Sequence, residues 1–464
     1  MGWLQRWLGR SGPDAAHGAA PPTLPERPDA APPVAPDDTA EAPPLAVEVP
    51  PGVDPAAVGV LVWEAVLGER GQSVGYRFFL SDAATLKVRG GARVRRFLDA
   101  MLVSQVAAVS PTWRQHRQIF LRLDAEALDP AALARLGGAG VTLIVHVDAT
   151  AAAATEAMLA QLQALRALGF RLLFEVADDS PWLASLATLA DGLAVRIGSA
   201  SPAHIEQTVA GLRLRYPGLL WCALDVPTQD DLALTRKIGC TLSTGAFVSE
   251  RGAYLGGRFS PDGLRVASLL SKLRQGAEIR EMAGVLKQDV ALSYRLLRYV
   301  NAAAWGLTTP ISSIEQAMLM LGRRPLYRWL MLLLLAGAPK AALSEVRGEA
   351  TLVRARFMEL LGQGLSVSQR DELFVLGMLS LLDTVLQVPA TRVLDTLPMS
   401  DTIRAALRDE ATDSPYAPYL ALARAWDAGD STAVATACAR LEMTVDTARR
   451  LHLQAFEWVL ENGQ

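Results

Sequence analysis

Three arginines interrupt apolar runs that have the character of β-strands, and guanidinium groups in such positions can do one of two things. Arg77, Arg122 and Arg196 are the residues concerned. Arginine binds phosphate through a planar fork of donors, so the three are candidate anion-binding residues. Alternatively they pair with Glu175 and Asp148, and a buried ion cluster of that kind is usually structural. The sequence leaves both interpretations open.

The histidines and cysteines lack the spacing of a metal site. The five histidines are His17, His116, His146, His204 and His452. His146 lies within a predicted strand and is expected to be a core histidine rather than a ligand. The three cysteines, Cys222, Cys240 and Cys438, form no close pair. We therefore expect no cofactor, no bound metal and a reducing compartment.

Composition narrows the class of protein. The 464 residues are 51% hydrophobic and carry a net charge of −3, which allows two or three domains and predicts no nucleic-acid partner. The longest apolar run, Trp329–Ala338, is about half of the roughly 20 residues that a membrane span requires, so it predicts a buried helix. Met1–Arg10 lacks the apolar core of a secretory signal. The expected location is the cytoplasm.

Residues 1–57 are predicted to be a tether. Gly12–Pro55 is rich in Ala, Pro and Asp and has too little apolar surface to fold. In Met1–Arg10, Trp3 and Trp7 fall on one side of a short helix. That pattern predicts either a frayed terminus or an amphipathic segment that docks on a membrane surface or on a partner. Docking on a membrane surface would make the protein peripheral to the inner membrane. The oligomeric state is not predicted.

Residues 58–250 predict an α/β barrel. Apolar strand-like runs alternate with helical ones, which is typical of a parallel barrel or an open doubly wound sheet. Eight candidate strands in about 190 residues favour the barrel. The predicted strands are Gly59–Val66, Val74–Leu80, Gln118–Leu123, Val141–Val147, Arg171–Val176, Gly192–Ile197, Leu219–Val226 and Thr244–Val248.

Residues 258–464 predict an all-helical domain. Ser260-Pro261-Asp262 is typical of a helix start, and Ser312 with Glu315 has the spacing of a capping box. The run from Lys287 to Leu330 resembles an HDOD domain, the output-module relative of the HD phosphohydrolases. Gln288-Asp289, Asn301 and Leu321-Gly322 carry the resemblance.

The HDOD resemblance implies partner binding rather than hydrolysis. An HD hydrolase needs an adjacent His-Asp pair, and Ser380-Leu381 stands in its place. The candidate partner-binding residues lie where one helix of the domain ends; they are Tyr294, Arg298, Asn301 and Trp305. The alternative is that Asn301 and Trp305 only cap and pack that helix junction.

The order of segments in residues 58–250 resembles an EAL domain, the cyclic di-GMP phosphodiesterase barrel, and the EAL-HDOD pairing is that of the YuxH-like bacterial family. The resemblance implies two divalent metals held by carboxylates and an amide, with a catalytic lysine. In this chain Arg77 replaces the first glutamate, Arg122 the amide, Val145 a metal ligand, Arg196 the lysine, Gly198 the following aspartate and Thr244 the final glutamine. Asp148 keeps an acidic residue at an expected ligand position. Glu175 does so too in one of the possible alignments of its strand with the EAL motif.

These substitutions predict a degenerate EAL barrel followed by an HDOD domain, without enzymatic activity. The expected function is that of an adaptor that binds other signalling or motility proteins through the HDOD domain, in cyclic di-GMP-linked control of motility, pili or biofilm. The alternative is a non-catalytic cyclic di-GMP receptor that uses the mouth of the barrel.

Overall fold

Eight short strands close into a barrel in the computed structural model, which describes residues 60–81, 91–114, 117–148, 155–248, 258–301, 311–338, 343–408 and 414–462. The strands are β1 (Leu61–Leu67), β2 (Ser73–Leu80), β3 (Gln118–Asp124), β4 (Val141–His146), β5 (Arg171–Glu175), β6 (Gly192–Arg196), β7 (Leu220–Leu224) and β8 (Leu242–Ser243). They pair in chain order, and β8 pairs with β1 to complete the ring. The predicted fold class is confirmed.

One strand departs from the predicted parallel barrel. β1 runs antiparallel to both of its neighbours, whereas β2 to β8 are mutually parallel. The reason is the short connection between β1 and β2, closed by a hydrogen bond from Gly68 N to Gln72 O at 2.9 Å. So short a link permits a hairpin, since a parallel connection needs a crossover of a dozen or more residues.

The last predicted strand is misplaced. β8 covers Leu242–Ser243, and Ala246–Val248 form a 3₁₀ turn instead of the predicted strand Thr244–Val248. Gly245 adopts a φ of 154°, and a Cβ there would lie 2.3 Å from the backbone N and O of Val226. The chain therefore turns closely beneath the end of β7, and Phe247 and Val248 are buried by packing rather than by strand pairing.

Helices connect the strands of the barrel, and polar side chains cap several of them. They are α1 (Ala92–Arg114), α2 (Pro130–Ala134), α3 (Glu156–Ala167), α4 (Pro181–Leu186), α5 (Pro202–Arg215) and α6 (Gln229–Lys237). At α5, Ser201 accepts a hydrogen bond from His204 N and Pro202 occupies the first turn. Such caps satisfy N–H groups that a helix start leaves unpaired.

The C-terminal region is helical throughout its described part. Its helices are α7 (Pro261–Arg274), α8 (Ile279–Lys287), α9 (Val290–Val300), α10 (Ile314–Leu321), α11 (Arg323–Ala336), α12 (Ser344–Leu361), α13 (Val367–Leu386), α14 (Ala390–Thr396), α15 (Asp401–Leu407), α16 (Ala417–Ala428), α17 (Ser431–Arg440) and α18 (Val445–Asn462). α11 contains most of the long apolar run and buries it, as predicted.

Local signals in the helical region are partly confirmed. Ser260 caps α7 by accepting from Gly263 N, as predicted. The predicted capping box at Ser312 is wrong by one residue, because Ser313 is the N-cap of α10 and accepts from Gln316 N. Helices α12 and α13 approach closely at Gly377, where a Cβ would lie 2.6 Å from Ala355 Cα. A side chain at that position would push the two helices apart.

The chain divides into two compact units. The described barrel residues form one unit together with residues 424–436, and the other described helical residues form the second. Within the described ranges, no helix is both long enough and apolar enough to cross a membrane. The predicted tether, the segment Met1–Arg10 and Trp305 lie outside the described residues.

Candidate functional site

The strands place one layer of polar side chains at the mouth of the barrel. The interior core includes Phe120, Ile144, Leu173 and Ala194, on β3 to β6. Because successive side chains of a strand alternate between its faces, the residue two positions further along points to the same interior. Those residues are Arg122, His146, Glu175 and Arg196, each at or near the carboxyl end of its strand. β1 runs the other way, and there Glu64 precedes the core residue Val66 by two.

Arg77 on β2 lies between two carboxylates. Its Nη2 is 3.1 Å from Glu64 Oε2 and 2.5 Å from Asp225 Oδ1. The residue is only 6% exposed. Burial alone would lower the pKa of Arg77, but the charges of Glu64 and Asp225 outweigh it and leave the pKa raised. Arg77 is therefore a fully charged cation whose hydration is replaced by two acids.

Glu175 on β5 is the acceptor for the other two arginines. Arg122 Nε lies 2.6 Å from Glu175 Oε2, and Arg196 Nη2 lies 3.2 Å from Oε1. His146 Nδ1 is 3.4 Å from Oε2. Burial alone would raise the pKa of Glu175, but the His146 contact and the charges of Arg122 and Arg196 leave it lowered. Glu175 is therefore ionised at neutral pH.

Asp225 joins the two halves of this arrangement. Its Oδ2 is 2.8 Å from Arg196 Nη1, while its Oδ1 contacts Arg77. Asp225 follows β7 directly and has a φ of 55°, a left-handed conformation that Asp tolerates better than most residues. The six residues Glu64, Arg77, Arg122, Glu175, Arg196 and Asp225 thus form one connected network, called here the mouth ion cluster. Three guanidinium charges in it face three carboxylates.

A cavity of about 230 Å³ lies against the mouth ion cluster. Arg77, Arg122 and Arg196 line it, with Glu64 and Asp225. The remainder of the wall is apolar apart from Asp99, which accepts a hydrogen bond from Asp124 N at 2.9 Å. One of the apolar residues is Phe79, whose ring centroid is 5.2 Å from Arg77 Cζ. The cavity is therefore bounded by charges that already have partners within the protein.

The structure brings the three sequence-predicted arginines together and identifies partners that the sequence did not. Pairing with Glu175 is confirmed for Arg122 and Arg196. It is wrong for Arg77, which pairs with Glu64 and Asp225 instead. Glu64 and Asp225 were missed, because Glu64 lies within the antiparallel strand β1 and Asp225 reaches the mouth through a left-handed turn after β7. The prediction for His146 is wrong: its side chain is 40% exposed at the mouth rather than in the core. Asp148 follows β4 and is exposed.

Other positions singled out in the barrel have packing or backbone roles. Val145 is fully buried on β4. Gly198 has a φ of 84°, and it lies in the turn after β6. Within the described ranges, no group of three His, Cys, Asp or Glu side chains is placed to hold a metal ion.

The candidate partner-binding residues of the helical unit differ in exposure and contacts. The Asn301 side chain donates from Nδ2 to Ile311 O and accepts at Oδ1 from Ile311 N, each at 2.7 Å. Asn301 is thus a structural link to Ile311, which lies three residues before the start of α10, in line with the packing alternative. Tyr294 on α9 is 59% exposed and Arg298 is half-buried.

Ser380 lies deep in the helical unit. Its hydroxyl donates to Gly377 O at 2.8 Å and accepts from Arg354 Nη1 at 2.9 Å. His452, which lies on α18, is 3% exposed and packs edge-on to Phe357 with ring centroids 5.0 Å apart. The position expected for a His-Asp pair therefore holds a buried hydroxyl bonded to a guanidinium.

Comparison with known proteins agrees with this architecture. A profile of the HDOD domain family matches residues 264–389. The chain thus carries an EAL-like barrel followed by a helical region that contains an HDOD domain.

Two curated relatives are similar to half of the chain. The cyclic di-GMP phosphodiesterase CdgJ of Vibrio cholerae serotype O1 is 27% identical over 235 residues, which is 50% of this chain and 54% of that protein. The uncharacterized protein YuxH of Bacillus subtilis is 27% identical over 246 residues, 52% of this chain and 59% of that protein. The matches therefore span little more than half the length of either relative.

Two solved structures are also similar to part of this chain. The PaMucR phosphodiesterase in its c-di-GMP complex is 19% identical, with a TM-score of 0.35 over 41% of this chain and 95% of that one. The Bacillus subtilis YkuI protein, with an EAL domain and bound c-di-GMP and calcium, is 14% identical, with a TM-score of 0.35 over 51% of this chain and 73% of that one.

Proposed function

We propose that this chain is a non-enzymatic signalling adaptor, in which a degenerate EAL barrel accompanies an HDOD domain that binds partner proteins. The observation that carries the proposal is the mouth ion cluster. Its three arginines stand where the EAL resemblance expects a metal-binding glutamate, an amide and a catalytic lysine. The similarity to CdgJ, a cyclic di-GMP phosphodiesterase, supports a role in cyclic di-GMP signalling. The EAL-HDOD resemblance implies that the processes controlled are motility, pili or biofilm.

The chemistry of the donor set does not fit the two divalent metals of an EAL active site. Such cations need several oxygen ligands, and three carboxylates at the mouth are already ion-paired with arginine. A guanidinium about 4 Å from a dication would repel it by roughly 8 kcal/mol at an effective dielectric constant of 20. We therefore derive no hydrolytic step for this barrel.

The second candidate function is a receptor that binds cyclic di-GMP without cleaving it. It is favoured by one observation, namely that three guanidinium groups line a cavity at the mouth. Two observations favour the adaptor instead. The cavity of about 230 Å³ is below the roughly 300–1,000 Å³ typical of pockets for drug-sized ligands. In addition, a ligand phosphate would have to displace carboxylates that already hold the arginines.

Isothermal titration of the full chain with cyclic di-GMP, with and without magnesium, separates the two candidates. The adaptor predicts no binding heat in either buffer. Saturable binding that Arg196→Gln weakens would favour the receptor. Arg196 suits this test because its side chain is 34% exposed, so the substitution costs less stability than one at Arg77.

Partner binding is tested on the full chain with matched exposed apolar positions. Tyr294 is 59% exposed on α9 of the helical unit, and Leu214 is 86% exposed on α5 of the barrel unit. Affinity capture with quantitative mass spectrometry should recover a partner that Tyr294→Ala loses and Leu214→Ala retains. A partner lost only with Leu214→Ala would move the interaction to the barrel and contradict the proposal.

A further inference from the structure

A second cavity lies within the helical unit, where four arginines converge. It has a volume of about 200 Å³ and lies among the end of α7, the first turns of α11 and α13, and α15. Arg274, Arg323, Arg324 and Arg328 line it. Leu273, Val375 and Ile403 contribute an apolar surface. We call this cavity the arginine pocket.

The arginines of this pocket differ in how their charge is compensated. Arg328 is held by Glu359, with N–O distances of 2.7 and 3.1 Å, and by Asp371 at 3.4 Å. Arg323 donates to the carbonyl of Ala277 at 2.6 Å, which orients its guanidinium without neutralising it. Because the charge of Arg328 is compensated by Glu359 and Asp371, its side chain forms part of the wall of the arginine pocket but adds no uncompensated positive charge.

The two remaining arginines have no such partners. Arg274 and Arg324 are exposed, and the side chain of neither makes a hydrogen bond or a salt bridge with another residue in the described ranges. The Glu372 carboxylate at the same cavity accepts a hydrogen bond from Tyr416 OH at 2.7 Å. Three guanidinium groups, counting Arg323, therefore surround one cavity without a carboxylate partner among the described residues.

We propose that the arginine pocket binds a phosphate monoester, with the phosphoryl group on Arg274 and Arg324 and the apolar part of the ligand on Leu273, Val375 and Ile403. Arginine matches phosphate because its planar fork donates two parallel hydrogen bonds to adjacent oxygens. Arg323 adds positive charge while its donors hold the end of α7.

The size of the pocket limits the ligand. About 200 Å³ is below the range typical for drug-sized molecules, so a single phosphoryl group with a small apolar body fits, and a dinucleotide does not. The Tyr327 hydroxyl is unavailable to such a ligand because it donates to Pro398 O at 2.6 Å. Ligand specificity would therefore come from the guanidinium groups and the apolar wall.

The test is isothermal titration of the full chain at low ionic strength with phenyl phosphate and, separately, with inorganic phosphate. Phenyl phosphate should bind with a stoichiometry of one and more tightly than inorganic phosphate, because only the former contacts the apolar wall. The Arg274→Gln/Arg324→Gln variant should bind phenyl phosphate at least about tenfold more weakly, since hydrogen bonds to charged groups are the strong ones.

Arg280→Gln is the matched control. Arg280 belongs to the same unit, its side chain is 85% exposed, and it pairs with Glu315 away from the residues that line the pocket. This variant should bind phenyl phosphate within about twofold of the unaltered protein, a margin that allows for long-range charge effects. Circular dichroism should give the same melting curve for both variants, and the two single substitutions are used if the double variant does not fold.

Three results would overturn the proposal. They are the absence of saturable binding by phenyl phosphate, unchanged binding by the double variant, and equal weakening by Arg280→Gln. Equal affinity for inorganic phosphate would contradict the assigned role of the apolar wall. Cyclic di-GMP takes no part in this experiment, so its outcome is independent of the function proposed above.

Discussion

Neutralising Glu175 provides the sharpest test of the mouth ion cluster. The Glu175 side chain is 11% exposed and contacts Arg122, Arg196 and His146. Glu175→Gln preserves its shape but removes the charge, which leaves two arginines at the mouth without this partner. Breaking a buried ion pair in this way typically costs about 3–5 kcal/mol.

The expected cost is lower here because the arginines are partly hydrated. The side chain of Arg122 is 22% exposed, that of Arg196 is 34% exposed, and Arg196 keeps its contact with Asp225. We therefore expect Glu175→Gln to lower the free energy of unfolding by ~2–3 kcal/mol at pH 7. For a unit of roughly 190 residues that corresponds to a fall of about 5–10 °C in melting temperature.

The difference should depend on pH in a defined direction. The pKa of Glu175 is lowered in the folded protein, so the carboxylate contributes its full stability above the unfolded value of ~4.3. That contribution is lost as the pH falls through the folded pKa. Glutamine has no such dependence, and the gap between the two proteins should therefore narrow below about pH 4.

Differential scanning calorimetry of the full chain measures both effects. Glu206→Gln is the matched control, because Glu206 is exposed on α5 and makes no ion pair with a described residue. It should change stability by less than about 0.5 kcal/mol. The reasoning is refuted if Glu175→Gln is no more destabilising at pH 7 than Glu206→Gln.

Two further predictions concern the helical unit and the buried thiols. Asn301→Ala should lower the free energy of unfolding by about 1–2 kcal/mol in urea denaturation, because two hydrogen bonds with Ile311 are lost. Tyr294→Ala should change the free energy of unfolding little, because that side chain is exposed. Equal effects of the two substitutions would contradict the linking role of Asn301. Burial raises the pKa of Cys222 and of Cys240 to about 12, so neither thiol should react with a thiol reagent at pH 8 until the protein is unfolded by denaturant. Rapid modification of Cys222 in the native protein would mean that the barrel interior opens.

Much of the architecture was predictable because burial leaves a pattern in the sequence. Parallel strands covered on both faces appear as continuous apolar runs, and seven of the eight predicted strands overlap observed ones. The eighth was misplaced because Ala246, Phe247 and Val248 are equally apolar but follow a close turn at Gly245. An apolar run predicts that its residues are buried, but strand pairing also requires an extended backbone. The turn at Gly245 directs residues 246–248 away from that path.

The candidate site was only half predictable because its carboxylates come from strands that meet only in the closed barrel. The resemblance to EAL domains drew attention to the positions of lost ligands, and so to Arg77, Arg122 and Arg196. Glu64 reaches the cluster because β1 runs antiparallel, and Asp225 reaches it through a left-handed turn after β7. Neither strand direction nor a positive φ at Asp225 was apparent from residue types alone.

The central claim, that the barrel does not hydrolyse cyclic di-GMP, is tested most directly by a turnover assay. The purified full chain is incubated with cyclic di-GMP and magnesium or manganese, and the linear dinucleotide is quantified by chromatography. We predict product at the level of a metal-free control, both for the unaltered protein and for Arg77→Glu, because one restored carboxylate leaves Arg122 and Arg196 in place. Metal-dependent product above that control from the unaltered protein would contradict the account.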